Sequence, residues 1–115
     1  MKRGTKRKFG RTTDQRNAFL KSLATALISH GKITTTKARA KSLRPYIEKM
    51  ITVAKKQSIA GRRELARTLH ATSVKKLVDV IAPQFSTRAG GYTRIIPLGR
   101  RQSDGSETAL VEFVS

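Results

Sequence analysis

Apolar residues in the first third of the chain recur at the spacing of an α-helix. Thr12 followed three residues later by Gln15 fits a capping box, which marks the start of a helix. Gly31 is a natural stop at the other end. The pattern therefore predicts a helix from about Thr12 to Gly31 with one apolar stripe for the core, formed by Phe19, Leu20, Leu23, Ala24, Leu27 and Ile28.

A second apolar stripe keeps one phase straight through Pro45. Two separate helices would have no reason to share a phase, so the pattern predicts a single helix that is kinked at Pro45. Thr35 or Thr36 is the expected N-cap, after a short β-prone stretch at residues 32–35, and the helix should end near Gln57. The stripe consists of Ala40, Leu43, Ile47, Met50, Ile51 and Ala54.

Two shorter helices should follow. Ser58 can cap a third helix that continues through His70. Ser73 can cap a fourth helix over residues 74–82, which Pro83 would end.

The last quarter of the chain changes to an alternation of apolar and polar residues. Residues 92–98 and 108–114 are predicted to be strands, joined across residues 99–107, where Asp104-Gly105 supplies turn chemistry. The predicted order of elements is α-β-α-α-α-β-β in one α+β domain over residues 12–115. Residues 1–11 should form a separate basic arm.

Charge is concentrated in the first half. The chain has 25 Lys and Arg against 7 Asp and Glu, a formal net charge of +18. Residues 1–63 hold 18 of the basic residues and two of the acidic ones. Such a chain repels itself, and a dense polyanion offsets that cost because each neutralised phosphate releases counterions. The composition indicates a nucleic-acid-binding protein whose first half does most of the binding.

The N-terminal arm, residues 1–11, contains six basic residues and no acid. Phe9 is its only bulky apolar residue apart from Met1, so the arm cannot bury enough surface to fold alone. We expect it to be mobile in the free protein and to become ordered on RNA; a solubilising tail or a nuclear localisation signal is the alternative. Its candidate RNA-binding residues are Lys2, Arg3, Lys6, Arg7, Lys8 and Arg11.

Further cations fall on the predicted helices. Lys37, Lys41, Arg44 and Lys55 form a stripe beside the apolar one, interrupted by Glu48. This stripe is either a track for phosphates or an ordinary solvated helix face. The other candidates outside the arm and the last quarter are Arg16, Lys32, Arg39, Arg62 and Arg63.

The most unusual segment is residues 88–94, Arg-Ala-Gly-Gly-Tyr-Thr-Arg. Paired glycines permit positive φ and let another backbone approach closely. The arginines could hold phosphates, while the tyrosine offers a ring for stacking or a hydroxyl for hydrogen bonding. The alternative is a glycine turn that feeds a strand, with solvated arginines. The candidate residues are Arg88, Gly90, Gly91, Tyr92 and Arg94.

Other classes of protein find little support. His30 and His70 lack metal-ligand spacing, the acids are scattered, and no phosphate-cradling glycine loop is present, so we expect no enzyme, cofactor or metal. The absence of Cys and of an apolar run of about 20 residues favours a cytoplasmic protein that uses no membrane. An architectural DNA-binding protein is the main alternative, and a cationic membrane-active protein is a third.

Four segments of the chain form a recognisable set, namely KFGR at residues 8–11, HGKITTTKARAK at 30–41, ITVAK at 51–55 and FSTRAGGYTRI at 85–95. Together they resemble the family of bacterial-type large-ribosomal-subunit protein seventeen. The resemblance implies helices packed on one face of a small three-stranded mixed sheet. It also implies a structural protein bound to large-subunit rRNA near the outlet of the polypeptide exit tunnel. Neighbouring ribosomal proteins are then the other partners, with no small-molecule substrate.

Overall fold

The computed structural model of the chain describes residues 13–114. The predicted order of elements is confirmed, with a π-helical turn at Leu77–Ile81 and a 3-10 turn at Ala82–Phe85 after the fourth helix. The helices are α1 Thr13–His30, α2 Lys37–Lys55, α3 Ile59–Ala66 and α4 Ala71–Lys76, and the strands are β1 Lys32–Thr36, β2 Thr93–Arg100 and β3 Glu107–Phe113.

The ends of the first two helices follow local chemistry. Gly31 stops α1 with a φ of 82°, a conformation that glycine adopts without strain. Thr36, one of the two predicted caps, begins α2, because its hydroxyl accepts a hydrogen bond of 3.2 Å from the Arg39 backbone N–H. α2 continues through Pro45 as one helix, which confirms the shared phase, while the kink at Pro45 stays a prediction; the helix ends two residues before the expected Gln57. The predicted cap Thr12 lies outside the described residues.

The boundary between α3 and α4 differs from the prediction. Ser58 does cap α3, with its Oγ 2.9 Å from the Gly61 backbone nitrogen, but the helix stops at Ala66 and does not reach His70. Ser73 is not a cap, because it is buried within α4. The chain turns so that Leu69 enters the core, and His70 then begins α4 from an extended backbone without any side-chain capping bond. The usual sequence signal for a helix start is therefore absent.

Pro83 does not end the helical segment. After α4 the coil widens into the π-turn, where the Ala82 N–H donates to the Leu77 carbonyl five residues earlier, and then tightens into the 3-10 turn that contains Pro83. Proline is tolerated at the start of a helical turn because its missing N–H has no partner there anyway. The change of pitch keeps Leu77, Ile81 and Phe85 in the core.

The sheet is antiparallel throughout, so the expected mixed sheet is wrong. The strand order is β1-β3-β2, and β3 pairs antiparallel with both neighbours. β1 and β2 run in the same direction, but β3 separates them and no parallel pair can form between these described strands. Leu110 in β3 lies opposite Thr34 on one side and Ile96 on the other.

α2 is the central element of the core. All six residues of its apolar stripe are buried, and the helix contacts α1, α3 and all three strands. From the sheet, Ala109 and Val111 of β3 point toward the helices and are fully buried. In residues 13–114, four helices therefore pack on a three-stranded sheet, which confirms the α+β class.

Truncating this core should be costly. We expect Ile51→Ala to lower the free energy of unfolding by about 2–5 kcal/mol, because removing a buried side chain leaves a cavity. Ile51 is fully buried. Urea unfolding followed by circular dichroism measures the loss.

The matched control is Ile59→Ala. Ile59 is 73% exposed. Its truncation should therefore change stability by less than about 0.5 kcal/mol, as is usual for surface substitutions. Equal losses for Ile51→Ala and Ile59→Ala would contradict this placement of the core.

Candidate nucleic-acid interface

One end of the 88–94 loop is fixed by a carboxylate from α2. Glu48 accepts two hydrogen bonds from Thr93, one from the backbone N–H at 3.2 Å and one from the hydroxyl at 2.9 Å. Thr93 is only 2% exposed, so both of these polar groups need a partner inside the protein. Arg44, one turn earlier on α2, lies 3.6 Å from the same carboxylate. Glu48 therefore sets where β2 begins.

The other end of the loop is held by Lys55. Its ammonium donates hydrogen bonds to the Arg88 carbonyl and, at 3.0 Å, to the Tyr92 hydroxyl. This second bond lowers the pKa of the Tyr92 hydroxyl, an effect that burial opposes. Lys55 follows Glu48 by seven residues, about two helical turns, which places both side chains on the same side of α2. A single helix face thus clamps the loop at both ends.

Tyr92 faces inward. It is 2% exposed, and its ring packs against Phe85 with centroids 5.2 Å apart at an angle of 57°. A buried ring cannot be a stacking platform for a base. Of the two roles that the sequence left open for Tyr92, the structure favours hydrogen bonding through the hydroxyl.

The solvent side of the loop is bare backbone. Gly90 and Gly91 are exposed, and a Cβ built on either would meet nothing within 4 Å. Gly91 has a φ of 64°, which explains why it is glycine. Gly90 has neither a positive φ nor a close neighbour, so nothing within the described protein requires glycine there. Its lack of a side chain leaves room for something outside the protein.

The two arginines of the loop differ in their freedom. Arg88 is exposed, and its Nε donates to the Gly90 carbonyl at 3.3 Å. Arg94 forms an ion pair of 2.7 Å with Glu112 on the neighbouring strand. Lys32 lies opposite Glu112 from the other side of β3. The outer face of the sheet therefore carries a row of two cations around one carboxylate.

The predicted cations of α2 are only partly free. Lys41 and Arg44 are exposed along the stripe, and Lys37 is half-buried in the first turn. The Arg39 guanidinium lies 4.6 Å from the centroid of the Phe19 ring, a cation–π contact with α1. Arg16 on α1 is half-buried and also has an interaction within the protein.

The arginines of α3 belong to a different part of the surface. Arg62 pairs with Asp79 at 2.5 Å and so joins α3 to the π-turn, while Arg63 is exposed. Together with Ile59 and Val74 they line an open groove between α3 and α4, of about 540 Å³. The arm candidates Lys2, Arg3, Lys6, Arg7, Lys8 and Arg11 lie outside the described residues.

Sequence reasoning missed the positioning roles of Glu48 and Thr93. In the sequence, Glu48 only interrupts a cationic stripe, although its spacing of seven residues from Lys55 puts both on one helix face. That spacing is the available signal. The burial of Thr93 has no local signal, because it depends on how β2 packs against α2.

Residues 13–114 hold neither a metal-binding cluster nor a membrane-spanning helix. No group of three or more His, Cys, Asp or Glu side chains comes together there in a way that could hold a metal ion. None of the helices described is both long and apolar enough to cross a membrane.

Exposed cations beside a bare backbone loop are typical of small basic nucleic-acid-binding proteins. The family model described as ribosomal protein L17 matches residues 19–114. The chain is 50% identical to large ribosomal subunit protein bL17 of Clostridium acetobutylicum over 109 residues, which cover 94% of this chain and 96% of the relative. The protein of the same name from Thermoanaerobacter sp. is 50% identical, and the alignment covers 94% of this chain and 97% of the relative. The one from Staphylococcus epidermidis is 46% identical, and the alignment covers 94% of this chain and 98% of the relative. The chain therefore belongs to the ribosomal protein L17 family.

This assignment confirms the resemblance drawn from the four sequence segments. It also confirms that the chain is a structural protein and not an enzyme, because that is the character of the family.

The two glycines allow a matched test of the loop. We expect Gly91→Ala to lower the free energy of unfolding by about 1–2 kcal/mol, because a left-handed backbone brings Cβ too close to the following carbonyl oxygen. Gly90→Ala should leave stability unchanged or raise it slightly, since it restricts the unfolded chain without straining the native one. Denaturant unfolding of both variants measures the difference. A loss for Gly90→Ala as large as that for Gly91→Ala would refute this account of the loop backbone.

Proposed function

We propose that this protein is a structural constituent of the large ribosomal subunit that binds large-subunit rRNA through its basic arm, its basic helix faces and the 88–94 loop. Its place is then the ribosome in the cytoplasm. The relatives are named as large-subunit proteins, and this chain matches them over nearly its whole length. The observation that carries the binding mode is the bare Gly90-Gly91 backbone, held by Glu48 and Lys55 beside exposed cations.

Such a surface recognises the shape of a folded RNA. The major groove of an RNA helix is too narrow for side chains to enter, so proteins bind its backbone, its minor groove and its irregular loops. Exposed Lys41, Arg44 and Arg88 can neutralise phosphates. The glycines permit a sugar-phosphate backbone to approach the protein backbone directly. Tyr92 and Lys55 contribute by fixing the loop, and the arm residues would add further phosphate contacts.

The family resemblance supports a proposal for the position within the subunit. We place the protein near the outlet of the polypeptide exit tunnel, in contact with large-subunit rRNA and with neighbouring ribosomal proteins. Structural assembly of this kind needs neither a cofactor nor a small-molecule substrate.

An architectural DNA-binding protein is disfavoured by the β2–β3 turn. Such proteins often insert apolar wedges from the tips of ribbons, whereas this turn presents Arg101, Gln102, Ser103 and Asp104. The hydrogen bond that the Ser106 backbone N–H donates to Asp104 lowers the pKa of that carboxyl. Asp104 also pairs with Arg101 at 3.5 Å, so the tip offers a paired acid and base and no apolar wedge.

Binding should depend steeply on salt. With on the order of 6–10 phosphate contacts, affinity for large-subunit rRNA should fall roughly 10³–10⁵-fold between about 50 and 200 mM salt. Filter binding or fluorescence anisotropy across this range measures the slope, with duplex DNA as competitor at equal ionic strength. An affinity that stays flat with salt, or a preference for DNA, would contradict the proposal.

Removing the arm separates binding from folding. Deletion of residues 2–11 takes away six basic residues, so we expect weaker association with rRNA and a shallower salt slope. The melting temperature of the free protein should stay within a few degrees of the parent. A large drop in melting temperature would show that the arm is part of the folded domain.

A further inference from the structure

A trough runs along α1 on a part of the surface that shares no lining residue with the 88–94 loop. Its walls are α1, Tyr46 of α2, and the turn from Arg67 to His70 between α3 and α4. It has two adjoining sections, of about 360 and 540 Å³, which meet at Ala18 and Lys21. We call this feature the α1 trough.

The cations of the α1 trough, Lys21 and Arg67, were not among the sequence candidates. Lys21 lies where the two sections meet and Arg67 lies in the smaller section, while the imidazole rings of His30 and His70 line the larger one. The two histidines are far apart in sequence, and the fold brings them into one cavity because α1 ends where α4 begins.

No carboxylate is found among the described residues that line the trough. This distinguishes it from two other cavities of the described chain. The groove between α3 and α4 contains Asp79, and a smaller cavity beside Met50 contains Glu64. The trough therefore presents positive charge that no acid in its own walls offsets.

The remaining walls suit a nucleic-acid strand. They consist of asparagine, serine, threonine, tyrosine and alanine, and the polar types are those that contact phosphates and sugars in nucleic-acid complexes. Burial raises the pKa of the Tyr46 hydroxyl, so it remains a proton donor at neutral pH. The small alanines leave room for a backbone.

An acidic peptide would fit the α1 trough less well. Peptides that dock in grooves usually anchor apolar side chains in apolar pockets, and the trough offers no large aliphatic residue among its described walls. The groove between α3 and α4 is the contrasting case, with the exposed Ile59 and with Val74 in its lining.

We propose that the α1 trough is a second RNA-binding surface, which takes a sugar-phosphate strand of large-subunit rRNA. The inference rests on the proposed function, because it assumes that the partner is rRNA. It adds a contact region that involves α1 and the α3–α4 turn. The protein would then be held by RNA both at the 88–94 loop and along α1.

The first experiment removes two cations from the α1 trough. For the full-length Lys21→Gln/Arg67→Gln variant, we expect at least about tenfold weaker binding to large-subunit rRNA, since charged hydrogen bonds are among the stronger ones. The slope of log K against log salt should become shallower by roughly 1.4–1.8 for two lost phosphate contacts.

The matched control removes one lysine and one arginine elsewhere. Lys75 lies in the groove that contains Asp79, and Arg101 pairs with Asp104 at 3.5 Å, so Lys75→Gln/Arg101→Gln should have a much smaller effect. Equal losses for the two double variants would overturn the proposal, because they would show a response to net charge alone. Melting temperatures of both variants establish that each is folded.

The second experiment leaves Lys21 and Arg67 unchanged. The chain contains no cysteine, so Ser22→Cys creates a single attachment point for a photo-activated crosslinker in the trough. Irradiation of its complex with deproteinised large-subunit rRNA should attach RNA to the protein. When the mixture is irradiated at high salt instead, the complex should not form and the yield of crosslink should fall. If the variant still binds RNA but no crosslink forms at Ser22, the proposal that the α1 trough binds RNA is wrong, while the proposed function of the protein stands. Failure of the parent protein to bind the rRNA would instead contradict both.

Discussion

The hydrogen bonds from Thr93 to Glu48 connect the core of this protein to its most unusual loop. Glu48 lies on α2, whose neighbouring face fills the core. A buried donor left without a partner costs about 1–3 kcal/mol, so the pairing strongly favours one position for the start of β2. Lys55, two turns further along the same face of α2, donates hydrogen bonds to the Arg88 carbonyl and the Tyr92 hydroxyl and so holds the other end of the loop. The loop is consequently positioned by contacts between its own residues Tyr92 and Thr93 and the side chains of α2.

The few acids of the chain act as internal positioning groups. Five of them pair with arginines in the described structure: Glu48, Asp79, Asp104, Glu107 and Glu112. Most of these pairs are well exposed, and such pairs contribute at most about 1 kcal/mol each. Their effect is to hold particular arginines in place, while most lysines and arginines remain uncompensated. The protein therefore folds with a large positive charge, which favours binding to a polyanion.

The parts of the fold that sequence predicted are those with a local physical cause. The α2 stripe continues across Pro45 because burial imposes one phase on the whole helix, and Thr36 caps it through its own hydroxyl. The start of α4 at His70 was missed because no capping side chain marks it. The mixed sheet came from the family resemblance. The turn at Asp104-Gly105 indicates only that β2 and β3 pair antiparallel, and the place of β1 beside β3 is decided by tertiary packing.

In the candidate site, too, the features with a local cause were predicted from sequence and those set by tertiary packing were not. Composition and spacing indicated the exposed cations Lys41 and Arg88, since charged residues on a helix stripe or loop tend to face solvent. The inward orientation of Tyr92 depends on Phe85 and Lys55, which belong to other elements of the fold. The α1 trough has no sequence signature at all, because its lining comes from three separate segments.

Charge and shape carry different information about the partner. Cations distributed over several elements attract any polyanion, so they cannot by themselves distinguish one RNA from another or from DNA. Gly91 is required by its own backbone conformation, and its identity therefore says little about what is bound. Gly90 is different, because within residues 13–114 a Cβ at that position would meet no atom within 4 Å and the φ is not positive. A requirement for glycine there would point to a partner that approaches closer than a Cβ would allow.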